Sequence, residues 1–228
     1  MLKLQGIFPP LTVPFNHEGD IYESKVRFNV EKLNLTQVSG YVVGGSTGES
    51  VMLSTPEKAR LWDLVAKHAG PGKLLIAGTG AESVRETLEL CSLAAAAGYH
   101  AAMVRTPSYY RGLLSNTAAQ VLHFQAVADS SPLPVLIYNI PQATGLDISA
   151  EAVVRLSEHP NVIGIKESSG SMEKVMRMVA ECRQGFQVLV GSAPTLYPSL
   201  SMGASGAILA FANAAPYAAI TIWEAFRT

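Results

Sequence analysis

Short apolar runs alternate with amphipathic segments along the whole of this 228-residue chain. The apolar runs have the length, and the flanking glycine and polar residues, that are typical of buried parallel strands. Each intervening segment is long enough for a crossover helix, and no two consecutive runs form a hairpin. We count eight runs, which centre on residues 6–8, 40–43, 73–77, 101–104, 134–138, 162–166, 187–190 and 206–209.

Helix signals support the same alternation. Ser54 with Glu57 and Asp20 with Glu23 have the spacing of a capping box, and Gly98 is typical of a helix end. These signals and the apolar periodicity predict helices over residues 22–35, 56–69, 83–97, 116–127, 150–157 and 172–182.

Strands that alternate with helices predict an α/β fold with a parallel sheet. Eight units favour a (β/α)8 TIM barrel over residues 1–228 as a single domain. A doubly wound sheet is the alternative, but the first turn from strand to helix has no GxGxxG and no phosphate loop. The eighth helix is predicted to begin near Pro216, and no glycine or proline stop signal precedes Thr228. We therefore expect a chain truncated within or near that helix.

Composition excludes several classes of function. The formal charge is −1 and the Lys and Arg residues are scattered, which argues against nucleic-acid partners and against a charged membrane patch. Two distant cysteines, Cys91 and Cys182, predict buried thiols in a reducing compartment. Without a signal peptide or an apolar span, the sequence predicts a cytoplasmic protein with no membrane partner. The five histidines show no HxH or HExxH spacing, so no metal site is predicted.

Lys166 and Tyr138 are the strongest candidates for chemistry. In a parallel barrel the active site lies at the carboxyl ends of the strands, and these residues end the sixth and fifth strands. A partly desolvated lysine has a lowered pKa, so its free amine can attack a carbonyl carbon, and a nearby tyrosine can transfer the protons. The alternative is that Lys166 pairs with Glu167 or a neighbouring carboxylate and only closes the barrel, and the residues alone leave both open.

Two loops carry further polar residues. The second strand ends in GGSTGES, where glycines around Ser46 and Thr47 permit a sharp turn whose amides and hydroxyls could hold a carboxylate. The fourth strand ends in TPSYYRG, with Tyr109 and Tyr110 side by side. Both patterns are more often structural, the first as a plain turn and the second as cover for a core or an interface.

The motifs GGSTGES, TPSYYRG, YNIP and GIKESSG, in this order, resemble the dihydrodipicolinate synthase and N-acetylneuraminate lyase family of pyruvate-dependent class I aldolases. The resemblance implies that Lys166 binds pyruvate as a covalent imine, so that no cofactor or metal is needed. It implies that Tyr138 relays protons, that Thr47 extends the relay, and that Ser46 and Thr47 bind the pyruvate carboxylate. The members' C-terminal helical extension is expected to be missing here.

The resemblance also implies residues and partners beyond this core. Gly45 and Ile208 are expected to complete the substrate-binding set. Tyr110 matches a tyrosine that in many members reaches the relay of a neighbouring subunit, which implies a homodimer or a homotetramer. The expected partners are therefore a small keto acid, an aldehyde and further copies of the chain.

The substrate is expected to differ from that of the synthases. Members that make dihydrodipicolinate usually carry an arginine after the YNxP motif, whereas this chain has Gln142, Ala143 and Thr144 there, and Arg111 lies in another loop. The resemblance is closer to the 4-hydroxy-2-oxoglutarate aldolase branch, which implies cleavage of a 4-hydroxy-2-oxo acid to pyruvate and an aldehyde such as glyoxylate. The alternatives are a dihydrodipicolinate synthase, which condenses pyruvate with aspartate semialdehyde, and a barrel that binds keto acids without turnover.

Overall fold

The computed structural model describes residues 2–227, and within that range eight parallel strands form one sheet. The strand order is β1-β8-β7-β6-β5-β4-β3-β2. Between β1 and β2 the sheet closes through backbone bonds, in which the Leu11 amide donates to the Val42 carbonyl (2.8 Å) and the Val42 amide donates to that of Pro9 (3.1 Å). The predicted TIM barrel is confirmed. Its strands are β1 (Gly6–Phe8), β2 (Gly40–Val43), β3 (Leu74–Gly78), β4 (Ala101–Arg105), β5 (Val135–Asn139), β6 (Val162–Glu167), β7 (Gln187–Val190) and β8 (Gly206–Ile208).

Helices surround the sheet, and the predicted ones agree with the structure to within three residues at each end. Three short helices, α4, α6 and α9, were not predicted because four to six residues are too few to show helical periodicity. In the range 2–227 no helix has the length and apolar character that crossing a membrane would require. The helices are α1 (Glu23–Asn34), α2 (Thr55–His68), α3 (Val84–Ala96), α4 (Arg111–Leu114), α5 (Thr117–Ser130), α6 (Pro141–Thr144), α7 (Ala150–Ser157), α8 (Met172–Glu181), α9 (Leu196–Ser201) and α10 (Pro216–Arg227).

One of the two predicted capping boxes forms. The Ser54 amide donates to Glu57 Oε2 at 2.7 Å at the start of α2, which confirms that box. The prediction of a capping box formed by Asp20 and Glu23 is wrong. Helix α1 begins at Glu23 itself, and its N-cap residue, Tyr22, makes no side-chain cap bond. The backbone of Asp20 instead closes a turn, in which its amide donates to Asn16 Oδ1 at 2.8 Å.

Apolar side chains fill both faces of the sheet. Outward-facing residues of the strands pack against the helices, as Val104 does, whereas inward-facing residues fill the barrel. On β4, Ala101 and Met103 face inward, so the alternation of a strand directs Arg105, its last residue, toward the mouth of the barrel. The barrel interior is lined by Phe8, Val42, Ile76, Met103, Leu136, Leu189 and Ile208.

Candidate active site

Lys166 and Tyr138 meet inside the mouth of the barrel. They are register partners on the neighbouring strands β6 and β5, so their side chains project from the same face of the sheet. Each residue is only 4% exposed, and Lys166 Nζ lies 4.1 Å from the centroid of the Tyr138 ring. Both line a cavity of about 310 Å³ that opens at the carboxyl ends of the strands. The structure thus places together the two residues that the sequence singled out.

Burial sets the protonation of the lysine. It lowers the pKa of Lys166 from 10.5 to about 7, because an ammonium group loses its hydration there. The alternative pairing with Glu167 is not formed, since Glu167 faces the opposite side of the sheet. Its carboxylate accepts from Asn139 Nδ2 (2.9 Å) and lies 3.3 Å from Lys174 Nζ. Within residues 2–227 no carboxylate lies within 4.0 Å of Lys166 Nζ, so a large share of the amine is uncharged near neutral pH.

The Tyr138 hydroxyl is held by a serine. Tyr138 Oη and Ser46 Oγ lie 3.3 Å apart, and either group can be the donor. Burial raises the pKa of Tyr138, and the nearby hydroxyls of Ser46 and Ser168 offset only part of that effect. The phenol therefore keeps its proton at neutral pH. Thr47 lines the same cavity, but within the described residues its hydroxyl has no hydrogen-bond partner, so the contact with Tyr138 belongs to Ser46.

The GGSTGES loop forms two short 3-10 turns, Ser46–Gly48 and Ser50–Met52. Glu49 joins them with a φ of 54°, a left-handed backbone conformation that residues other than glycine seldom adopt. The amides of Gly48, Glu49 and Ser50 bond within the loop. In the part of the chain that the structure describes, those of Ser46 and Thr47 have no acceptor. Two free amides beside the cavity are the kind of site that binds a carboxylate.

Sequence reasoning missed two residues of the opposite wall, Ser168 and Gly191. Gly191 has to lack a side chain, because a Cβ there would overlap Ser168 Oγ and would lie 3.2 Å from Lys166 Cε. Ser168 Oγ is buried and has no hydrogen-bond partner within residues 2–227. Gln142 closes this side, with its Nε2 donating to the Ser168 carbonyl at 2.9 Å. The GIKESSG motif contains Ser168 and could have indicated it, whereas nothing in the sequence links Gly191 to Lys166.

Arg105 is a third residue that was missed, because the predicted fourth strand ended one residue before it. It is the register partner of Tyr138 on β4. Its Nη1 donates to Glu82 Oε1 at 3.0 Å and to the Thr106 carbonyl at 3.1 Å. An arginine therefore stands in the mouth of the barrel, one strand away from the tyrosine.

The remaining predicted residues divide between the cavity and the surface. Ile208 lines the cavity with Lys166, and Gly45 lies next to it in the loop after β2. Tyr110 does not line it. That residue is 72% exposed and stacks edge-on against Tyr109, with ring centroids 5.0 Å apart. Arg111 also lies apart, where its guanidinium packs against Gly145.

The arrangement supplies a nucleophile and a proton donor in one cavity. Among the described residues no group of three His, Cys, Asp or Glu side chains is placed to hold a metal ion. The uncharged amine of Lys166 can attack a carbonyl carbon, the phenol of Tyr138 can exchange protons with the adduct, and the free amides of the loop can hold a carboxylate.

Comparison with known sequences gives one family. Residues 3–228 match the model of the dihydrodipicolinate synthetase family. The 4-hydroxy-tetrahydrodipicolinate synthase of Methanothrix thermoacetophila is 38% identical over 223 residues, which cover 97% of this chain and 74% of that enzyme. The probable mitochondrial 4-hydroxy-2-oxoglutarate aldolase of Emericella nidulans is 40% identical over 228 residues, which cover 97% of this chain and 73% of that protein.

Solved structures agree with the sequence comparison. The 4-hydroxy-tetrahydrodipicolinate synthase of Methylacidiphilum fumariolicum SolV superposes with a TM-score of 0.93 at 32% identity, covering 99% of this chain and 74% of that one. A prophage protein of the dihydrodipicolinic acid synthase family from E. coli K12, solved in complex with pyruvate, has a TM-score of 0.92 at 31% identity. The superposition covers 98% of this chain and 75% of that protein.

Proposed function

The chain belongs to the dihydrodipicolinate synthetase family of pyruvate-dependent class I lyases, which form a Schiff base on a lysine, and we propose that Lys166 is that lysine here. One observation carries the proposal. Lys166 is the buried amine with a pKa of about 7 that lines the cavity beside Tyr138. A lysine amine with an ordinary pKa would be almost fully protonated at neutral pH and unable to attack a carbonyl carbon.

The proposed reaction uses the groups that line the cavity. The Lys166 amine attacks the C2 ketone of the substrate. Tyr138 donates its proton to the hydroxyl of the carbinolamine, which leaves as water, and the resulting iminium accepts electrons. The Tyr138 phenolate then takes the proton of the C4 hydroxyl as the C3–C4 bond breaks and the aldehyde leaves. The enamine that remains on Lys166 is protonated at C3, and its hydrolysis releases pyruvate and restores the amine. A proton returns to Tyr138 in the same cycle, with Ser46 in contact with its hydroxyl.

The carboxylate of the keto acid is proposed to lie on the loop after β2. The free amides of Ser46 and Thr47 border the cavity that contains Lys166, so a carboxylate held there presents its adjacent carbonyl carbon to the amine. A volume of about 310 Å³ suits a small organic acid, since ligand cavities begin at roughly that size.

We propose cleavage of a 4-hydroxy-2-oxo acid, such as 4-hydroxy-2-oxoglutarate, as the reaction. The loop of Gln142, Ala143 and Thr144 lacks the arginine expected of the synthases, and the 40% identical relative is named as a probable 4-hydroxy-2-oxoglutarate aldolase. Dihydrodipicolinate synthase activity is the second candidate, because a relative at 38% identity carries that name.

Trapping with borohydride tests the lysine. The protein is incubated with pyruvate and borohydride, digested and mapped by mass spectrometry. The expected result is one reduced pyruvyl adduct, on Lys166, and none on Lys174, a more accessible lysine whose amine is ion-paired. Tyr138→Phe is the matched variant. It should still form the adduct, while turnover falls about 10²- to 10⁴-fold because the proton donor is lost. An unmodified Lys166 in folded protein would refute the proposal.

Two assays on the same preparation separate the candidate reactions. Cleavage of 4-hydroxy-2-oxoglutarate is followed by the pyruvate released, and condensation by the product of pyruvate with aspartate semialdehyde. We expect cleavage to have the higher kcat/KM. Faster condensation would assign the synthase reaction instead. A protein that binds pyruvate without turning over either substrate would be the non-catalytic barrel.

We also propose a homodimer or homotetramer, as the resemblance implies, and a location in the cytoplasm. Tyr109, Tyr110 and Leu113 are each at least 68% exposed around the loop after β4, and such an apolar patch is typical of an interface. Light scattering coupled to gel filtration tests the assembly, and Tyr110→Asp should shift the mass toward that of a monomer.

A further inference from the structure

Arg105 occupies a position in the barrel mouth from which it can reach a bound substrate. Arg105, Tyr138 and Lys166 are register partners across three adjacent strands, β4, β5 and β6. Neighbouring strands are about 4.8 Å apart, so the backbones of Arg105 and Lys166 are roughly 10 Å apart with Tyr138 between them. A molecule bound covalently to Lys166 and longer than pyruvate would extend over Tyr138 toward Arg105.

The local structure holds the guanidinium in one place. Gly80 on the neighbouring loop makes room for the backbone and the side-chain stem of Arg105, because a Cβ there would lie 2.5 Å from the Arg105 amide and 2.7 Å from Arg105 Cγ. Glu82 fixes one end of the group through Nη1 at 3.0 Å. The Glu82 carboxylate is itself held by the amides of Ser108 (2.9 Å) and Tyr109 (3.0 Å), so it cannot follow the arginine if the side chain moves.

The rest of the guanidinium is available. Within residues 2–227 the two bonds of Arg105 both start from Nη1, and Nε and Nη2 donate to no protein atom. A guanidinium presents five N–H groups in a planar fork that matches a carboxylate. Arg105 therefore retains an unused donor edge in a part of the mouth where its side chain is only 18% exposed.

A second cavity connects Arg105 with the loop that follows β5. Its volume is about 190 Å³, and its walls include Arg105, Ala143 and Thr144. Ser46 and Ile140 line both this cavity and that of Lys166, so the two share a wall. Ala143 and Thr144 belong to the loop in which the resembling synthases carry an arginine. In this chain the arginine is Arg105 on β4, and it lines the same cavity as Ala143 and Thr144.

From this geometry we infer that Arg105 is a specificity-determining residue, which binds a second carboxylate at the end of the substrate remote from Lys166. The inference rests on the proposed function and deepens it. The enzyme would prefer 4-hydroxy-2-oxo diacids, which release an aldehyde with a carboxylate, over 4-hydroxy-2-oxo acids that release an uncharged aldehyde. The contrasting role is purely structural, in which Arg105 only ties β4 to Glu82.

Two substrates and two variants distinguish these roles. The substrates are 4-hydroxy-2-oxoglutarate and 4-hydroxy-2-oxopentanoate, which has a methyl group in place of the distal carboxylate. Arg105→Gln removes the charge, and Glu82→Gln removes the ion pair but keeps the arginine. We expect Arg105→Gln to lower kcat/KM for the diacid by about 10- to 100-fold, the range for a charge-assisted hydrogen bond, and for the methyl analogue by less than about threefold. Glu82→Gln should keep most of the preference for the diacid.

Other results would overturn the inference. It fails if Arg105→Gln lowers kcat/KM equally for both substrates, or if Glu82→Gln abolishes the preference as completely as Arg105→Gln does. It also fails if the wild-type enzyme cleaves the methyl analogue as well as the diacid, a comparison that needs no variant to fold. Borohydride trapping with pyruvate, which has no second carboxylate, separates the two proposals. An adduct on Lys166 together with no preference overturns the inference alone, whereas no adduct in the wild type overturns both.

Discussion

Replacing Lys166 with methionine should stabilise the protein, and by an amount that depends on pH. The pKa of Lys166 is about 7 in the folded chain, against 10.5 for a solvated lysine. A shift of one pKa unit corresponds to about 1.4 kcal/mol, so the difference represents a cost of about 5 kcal/mol for burying this amine in its charged form. Methionine is unbranched and of similar length, and it carries no charge, so Lys166→Met removes that cost.

The sign of the pH dependence follows from proton binding. Between pH 7 and pH 10.5 the unfolded chain holds the proton on this lysine and the folded chain does not, so the stability of the wild type rises with pH. Below pH 7 both states hold it and the full cost remains. Relative to the wild type, Lys166→Met should therefore have an advantage in unfolding free energy of about 5 kcal/mol at pH 6 and about 2 kcal/mol at pH 9.

Equilibrium urea unfolding of both proteins at pH 6 and pH 9, at one protein concentration, measures this difference. Other titrating groups contribute equally to both proteins and cancel in the comparison. Lys67→Met is the matched control, because Lys67 is an exposed lysine of α2 and its replacement should change stability by less than about 0.5 kcal/mol at either pH. A difference between Lys166→Met and wild type that is the same at both pH values would refute a lowered pKa for Lys166.

Three further substitutions test the surroundings of the site. Gly191→Ala should cost about 1 to 3 kcal/mol in urea unfolding and slow pyruvate trapping, because the new methyl group overlaps Ser168; unchanged trapping would contradict this packing. Glu49→Gly should raise stability by about 0.5 to 1 kcal/mol, seen as a higher Tm, because glycine adopts the left-handed φ of 54° without strain; a lower Tm would contradict it. Lys174→Met should cost about 3 kcal/mol, since it leaves the buried Glu167 carboxylate without its cation, and a loss below about 0.5 kcal/mol would show that the pair contributes little.

The fold could be predicted from the sequence because its signal repeats. Eight apolar runs separated by helix-length segments leave few topologies for a parallel sheet, and the predicted strands coincide with the observed ones to within one residue. The misses have local causes. Helix α9 has six residues and includes Pro198, so neither length nor periodicity marked it. Asp20 and Glu23 have capping spacing, but Asn16 competes for the backbone of that turn.

The candidate site was predictable only as far as strand ends reveal it. Lys166 and Tyr138 could be identified because each is a polar residue at the end of an apolar run. Arg105 was missed because the fourth strand was predicted one residue too short. The last residue of a strand can face the mouth of the barrel, so an error of one residue there omits a candidate site residue. The contact of Gly191 with Ser168 depends on how β7 approaches the loop after β6, and local sequence does not encode that distance.

Lys166 faces into the barrel because strand β6 is irregular, and strand periodicity alone would have predicted the opposite orientation. Val162 faces the helices and Ile163 faces the barrel interior, so strict alternation would direct Lys166 outward. The register between β5 and β6 shifts at this point, since Val135 pairs with Val162 and Leu136 pairs with Gly164. Ile163 is therefore an extra residue, and every later side chain of β6 changes face. The same irregularity turns Lys166 into the barrel beside Tyr138 and Glu167 out toward Lys174, which separates the amine from the carboxylate next to it in sequence. A regular β6 would have exchanged the two, placing a carboxylate in the cavity and the lysine under the helices.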